Sequence, residues 1–207
     1  LGEHGYWAKN YMFDYKELVH IPMIAVTPAQ KAGRRQGLTT TIDIMPTFMD
    51  LHEGELPPHV HGESIRHLFE QDEDHHDAIL YGYFGKDINL TDGKYTYCRQ
   101  PLPGSKLYNH LANPCNFSDF EKRDVLRRAQ QGVFLDSAHG IPHYRIETRS
   151  KRHHNAPDFN PIYNISADPL QQHPLHDESI EAQLEEKMQQ LMERYDSPQC
   201  QYPRVGF

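Results

Sequence analysis

Apolar positions recur along this chain with two different periods. In "AILYGYFGKDINLTDGKYTYCR" (78–99), three β-rich runs are broken at Gly85-Lys86-Asp87 and at Asp92-Gly93. An Asp-Gly pair between alternating "INLT" and "KYTY" predicts a hairpin. "PIYNIS" (161–166) reads as a fourth strand. The period then changes. In "DESIEAQLEEKMQQLMERYDSP" (177–198), Ile180, Leu184, Met188, Leu191 and Tyr195 fall on one stripe of a helix. Asp177 or Ser179 is placed to cap it and Pro198 to stop it.

The first third of the chain has another rhythm. "LVHIPMIAVTP" (18–28) is a short, β-branched apolar run closed by proline, which predicts a buried strand. "TTTIDIMPTFMDLHEG" (39–54) predicts a helix with a stripe of Ile44, Met45, Phe48, Met49 and Leu51, ended by Gly54. Pro46 is tolerable there if Thr41 or Asp43 caps the helix, because it then falls near the first turn. Strand followed by helix is the closing unit of an α/β domain. The acidic, apolar-free "EQDEDHHD" (70–77) reads as the boundary, dividing the chain into 1–77 and 78–207. Residues 100–159 read as mostly irregular, with a short helix in "FEKRDVLRRAQQGVF". The predicted architecture is thus the end of an α/β domain, then a small four-stranded antiparallel sheet with a C-terminal helix.

Composition narrows the function classes. At 207 residues the chain can bury a real core, yet it is polar, with 37% hydrophobic residues and a mean hydropathy of −0.78. No apolar run approaches the roughly 18 residues that span a bilayer. The net charge of −8 argues against a general nucleic-acid or membrane surface. Basic residues do cluster in "HYRIETRSKRHH" (143–154), read first as a solvated loop and second as an anion-facing patch.

Candidate chemistry is sparse. Cys98, Cys115 and Cys200 fit no paired framework and no CxxC spacing. The histidines of "HVH" (59–61), "HH" (75–76) and "HH" (153–154) lack metal-site spacing, and neighbours in an extended chain point apart, so no metal ligand is assigned. There is no G-x-S-x-G, P-loop or G-x-G-x-x-G. Asn89, Asn116 and Asn164 head glycosylation sequons of the kind chance supplies. In the opening "LGEHGYWAKNYMFDYKELVHIPMI", Lys9 stands between Trp7 and Tyr11, just before the predicted strand. Local pattern favours a lysine snorkelling over aromatic surface. The other reading is an ammonium near a strand end that meets an anionic substrate or a developing oxyanion.

Three landmarks, taken in order, resemble the sulfatases of the alkaline-phosphatase superfamily. The opening run, with Tyr15, Glu17 and "HIPMI", is similar to that family's D-H-G-x-x-L-G-E-H-G-x-W-x-K followed by Tyr-Glu and [RH]-[VI]-P-L-I. "TTTIDIMPTFMDLHEGELPPHVHGESI" resembles its V-D-[IL]-x-P-T-[LF]-x-D-L helix and G-x-S-L, with Ile65 in place of leucine. "FNPIYNISADPLQQHPLHDE" resembles its L-Y-D-L-x-x-D-P-x-E-x-x-N-L strand and turn. Here Gln171 or Gln172 stands where glutamate is common, and His173-Pro174-Leu175 replaces Asn-Leu.

The resemblance implies the C-terminal portion of a formylglycine-dependent sulfatase, a sulfuric-ester hydrolase acting on a small-molecule or carbohydrate sulfate ester. It gives Lys9 the role of binding the sulfate oxygens and puts His4 near the site. It also implies that Ca²⁺ or Mg²⁺ and the C/S-x-P-x-R nucleophile belong to an N-terminal part before Leu1, that this segment holds neither cofactor, and that it is inactive alone. Two alternatives share these residues: a phosphonate or phosphodiester hydrolase of the same superfamily, and a non-catalytic binding half-domain. Tyr81, Tyr83, Lys86, Arg99 and the loop 100–120 are the positions from which the second domain would frame a pocket, although core packing explains Tyr81 and Tyr83 equally well.

Overall fold

The computed structural model describes residues 2–7, 13–28, 31–113, 122–153 and 156–207. The strands read from alternation form one antiparallel sheet: β1 (Ile79–Gly82), β2 (Ile88–Thr91), β3 (Tyr95–Arg99) and β7 (Ile162–Asn164), in the order β1-β2-β3-β7. Asp92-Gly93 makes the turn between β2 and β3. Gly93 sits at φ +83°, and Asp92 Oδ1 accepts from the backbone N–H groups of Lys94 and Tyr95 at 3.0 and 2.7 Å.

Helix α4 (Glu178–Arg194) lies across this sheet. Asp177 caps it, accepting from the N–H groups of Ser179 and Ile180, both at 3.0 Å. Its inward stripe sets Leu184, Met188 and Met192 against Leu90, Tyr97 and Ile162, all buried. Burying side chains of this size stabilises by about 1.5–3 kcal/mol apiece. The helix ends at Arg194, and Asp196, at φ +50°, makes a left-handed turn before Pro198 is reached. Arg99 bolts the chain's last residues to the sheet. It ion-pairs with Glu185, donates to the carbonyls of Val205 (2.7 Å) and Gly206 (3.0 Å), and stacks over the Phe207 ring.

The region expected to be mostly irregular contains a second sheet. Strands β4 (Lys106–Leu111), β5 (Gln130–Gly132) and β6 (His143–Arg149) pair antiparallel in the order β4-β6-β5. Only Leu107 and Ile146 among their apolar side chains are buried, and β5 is Gln-Gln-Gly, so hydrophobic alternation was too thin to reveal them. The helix expected just upstream shrinks to one turn, α3 (Arg123–Leu126).

In the first third, the expected strand 18–28 is not formed among the described residues. A single turn, α1 (Lys16–Val19), leads into residues 20–27, which join neither sheet. Ile24 and Val26 are 89% and 83% exposed, and Ile21 and Met23 are exposed as well. A β-branched run becomes a strand when a partner supplies the ladder, and no strand among the described residues pairs with this one. The expected helix is present as a 3₁₀ turn (Thr41–Asp43) continuing into α2 (Ile44–Leu51). Thr40 occupies the N-cap, and Asp43 reaches back to accept from its N–H at 2.8 Å. The helix is turned opposite to expectation. Pro46 and Thr47 are buried, while Ile44, Met45, Phe48 and Leu51 face outward.

Candidate functional site

The opening G-E-H-G is a tight turn built on left-handed backbone. Gly2 and Gly5 take φ of +103° and +75°, and His4 itself lies at +53°. The N–H of Gly5 closes on Gly2 O at 3.1 Å, and that of Tyr6 on Glu3 O at 3.0 Å. Glycine carries such angles without cost; for His4 they are strain that the surroundings must hold. They bring the His4 ring flat onto Tyr15, centroids 3.7 Å apart and planes within 5°. His4 Nε2 then lies 3.4 Å from Glu17 Oε2, with its side chain only 9% exposed. Tyr15 in turn meets Phe13 and Tyr163 edge-on, and burial raises its phenol pKa. His4 is therefore packed and oriented by neighbours that the same motif supplies. Lys9 lies outside the described residues.

One side chain ties this lobe to the sheet. Gln171, buried at φ +50°, accepts from Lys16 N at 2.7 Å and donates to Thr96 Oγ1 at 2.9 Å.

Behind the aromatic stack lies a buried acidic cluster. Asp87 accepts from Asn89 Nδ2 (2.7 Å) and Cys98 Sγ (3.2 Å), and its other oxygen is 2.7 Å from His153 Nε2. Burial alone would raise the Asp87 pKa, but the His153 contact outweighs it, helped by Asn89 and Cys98, and holds it low. Asp14, with one hydrogen bond from Asn89 at 3.3 Å, has the opposite fate. Burial, and then the Asp87 charge, push its pKa up to about 6. Burial also puts the Cys98 thiol well above its usual range, so it is an inert core thiol.

Several residues singled out from sequence are committed to structure. Arg99 holds the chain end, as described. Lys86 Nζ donates to the Arg152 carbonyl at 3.2 Å. Tyr81 packs beside Asn89 and Cys98, its phenol pKa raised by burial, whereas Tyr83 is exposed. The basic stretch 143–154 is largely strand β6 and not a solvated loop. Arg145 stacks over Phe134 and Tyr108, and Arg152 donates to Pro157 O and Gln100 Oε1. Asn89 is buried with its amide bonded, which closes that sequon to glycosylation; Asn116 lies outside the described residues.

A further grouping was missed from sequence. Asp43, His75 and His76 converge, each offering one ligand atom within 4.8 Å of the others. Adjacent histidines point apart in a strand, but residues 72–76 are irregular, and both rings turn to the same carboxylate.

Comparisons with known proteins align with the opening and second landmarks. Residues 2–96 match the family model "N-sulphoglucosamine sulphohydrolase, C-terminal". An N-acetylglucosamine-6-O-sulfatase of Bacteroides thetaiotaomicron is 33% identical over 90 residues, which are 41% of this chain and 16% of that protein. Among solved structures, that of BT4656 in complex with its substrate D-glucosamine-2-N,6-O-disulfate covers 75% of this chain and 24% of its own, at 13% identity and a TM-score of 0.38. This chain thus spans only a small part of the length of the curated relative. Residues 2–96 are thus similar to the C-terminal part of sulfatases.

Proposed function

We propose that the protein to which this chain belongs removes sulfate from a sulfated amino sugar, with residues 1–77 closing its catalytic domain and 78–207 forming a C-terminal subdomain. The observation that carries this reading is the family match, which runs through G-E-H-G-x-W-x-K and so includes His4 and Lys9. Lys9 would bind the sulfate oxygens and offset charge on the leaving oxygen; His4, fixed by Tyr15 and Glu17, would line the same site.

This chain's own residues do not fit the family's other reaction groups. No cysteine or serine here heads a C/S-x-P-x-R motif, and Cys98 is buried against Asp87. A hard cation such as Ca²⁺ takes six or more oxygen ligands, whereas the oxygens of Asp87 are already engaged by Asn89, Cys98 and His153. Formylglycine and Ca²⁺ or Mg²⁺ would therefore come from polypeptide outside these residues, and the 207-residue chain alone would not turn over substrate. The exposed side chains of Ile21, Met23, Ile24 and Val26 and the outward apolar stripe of α2 are the surfaces that polypeptide would cover.

The test is steady-state kinetics of the full-length protein on glucosamine 6-O-sulfate, glucosamine 2-N-sulfate and a matched phosphate ester. Lys9→Ala should lower kcat/KM on the preferred sulfate by about 10²–10³-fold. Faster turnover of the phosphate ester would favour the phosphodiesterase reading. Sulfate turnover unaffected by Lys9→Ala would remove Lys9 from the site.

A further inference from the structure

We propose that Asp43, His75 and His76 form a binding site for a divalent transition-metal ion of the zinc class, separate from any cation of the sulfatase reaction. The donor set is one carboxylate and two imidazoles, which suits zinc and not calcium or magnesium. His76 Nε2 lies 3.0 Å from Asp43 Oδ2, and His75 Nε2 lies 3.6 Å from the same oxygen. Ligands about 2.0–2.1 Å from a tetrahedral ion stand about 3.3 Å from one another, so these spacings bracket the edges of such a site.

Three further features favour a ligand there. The side chains of Asp43, His75 and His76 are 1%, 3% and 2% exposed, so water does not compete freely for them. His75 Nε2 is buried without a hydrogen-bond partner, a state that nearly all buried polar atoms avoid, and it points at the Asp43 carboxylate. The carboxylate itself is oriented by outer contacts: Oδ1 accepts from Glu63 N at 3.0 Å and Oδ2 from Thr40 N at 2.8 Å. A fourth ligand position falls to water or to His67, whose ring centroid lies 5.2 Å from that of His75. An ion held here would clip the first turn of the α2 helix to the segment leading into β1.

The experiment is zinc titration of the metal-stripped protein by calorimetry, with visible absorption of its cobalt form as a second readout. The expected result is one tight zinc per chain, a cobalt spectrum of tetrahedral type, and a rise in Tm on adding zinc. His75→Ala, which removes no existing hydrogen bond of that ring nitrogen, should remain folded by circular dichroism yet weaken zinc by more than about 100-fold, beyond what outer contacts contribute. His76→Gln should do the same. Two results would overturn the site: no zinc uptake by folded protein, which leaves a purely structural His–Asp network, or tight uptake that survives His75→Ala and His76→Gln, which puts the ion among other histidines.

Discussion

Gln171 Oε1 accepts from the backbone N–H of Lys16 at 2.7 Å, joining two segments at opposite ends of the chain. The same amide donates to Thr96 Oγ1, so one side chain fastens the aromatic lobe that holds His4 and Tyr15 to strand β3. Removing it strands a buried donor and acceptor. Gln171→Ala should cost about 1–3 kcal/mol in urea unfolding. Gln171→Glu keeps an acceptor for Lys16 and can accept from the Thr96 hydroxyl, so it should cost less than about half as much. Equal losses from the two would show that the amide is not the fastener.

Asp14 makes stability depend on pH in a direction opposite to Asp87. Its folded pKa, about 6, lies above its ordinary 3.8, so the native state binds more protons across that window. Its contribution therefore falls as pH rises from about 4 to 6, and above that the full penalty is present. Asp14→Asn should raise Tm at pH 7.5, and the gain should fade to nothing near pH 4. Melts of both proteins across that range check this, and a gain independent of pH would contradict it.

Met188 is fully buried between α4 and the four-stranded sheet. Met188→Ala should lower unfolding free energy by about 2–5 kcal/mol, because the sheet cannot collapse into the space. The outward neighbour Glu186 has no such role, and Glu186→Ala should stay within about 0.5 kcal/mol.

Phe48 and Ile24 separate the surfaces of this chain from those of the larger protein. Both are exposed here, so Phe48→Ser and Ile24→Ser should shift the stability of the 207-residue chain by less than about 0.5 kcal/mol. In the full-length protein the same changes should destabilise by about 2 kcal/mol or more, if the proposed catalytic domain buries them. A silent result in both settings would leave those apolar faces without that partner.

The parts legible in the sequence were those with a dense local signal. Asp92-Gly93 with its alternating flanks gave the β2–β3 hairpin, and the 3.6-residue stripe gave α4. The β4-β6-β5 sheet was hidden because Arg145 and its aromatic neighbours, and not apolar alternation, stabilise it. The run 18–28 carried a strand's composition, but strand formation needs a partner, and composition does not supply one. The α2 stripe was correctly located in sequence but assigned to the wrong side, since Asp43 and Thr47, bonded to Glu63 and Ile65, face the interior. The meeting of Asp43 with His75 and His76 was invisible because it depends on an irregular backbone over residues 72–76, which no periodicity describes.

The sheet's first three strands have a long wait. Leu90 and Tyr97 lie on strands that leave the ribosome well before β7 and α4, yet their cover comes from Ile162, Leu184, Met188 and Met192. Arg99 likewise closes on Val205, Gly206 and Phe207 as well as on Glu185 of α4. Such long-range closure slows folding and leaves a tyrosine-rich hairpin bare during synthesis. Loss of even the last few residues would take from a charged arginine the two carbonyls it donates to, so a short C-terminal truncation should be felt at the centre of the sheet.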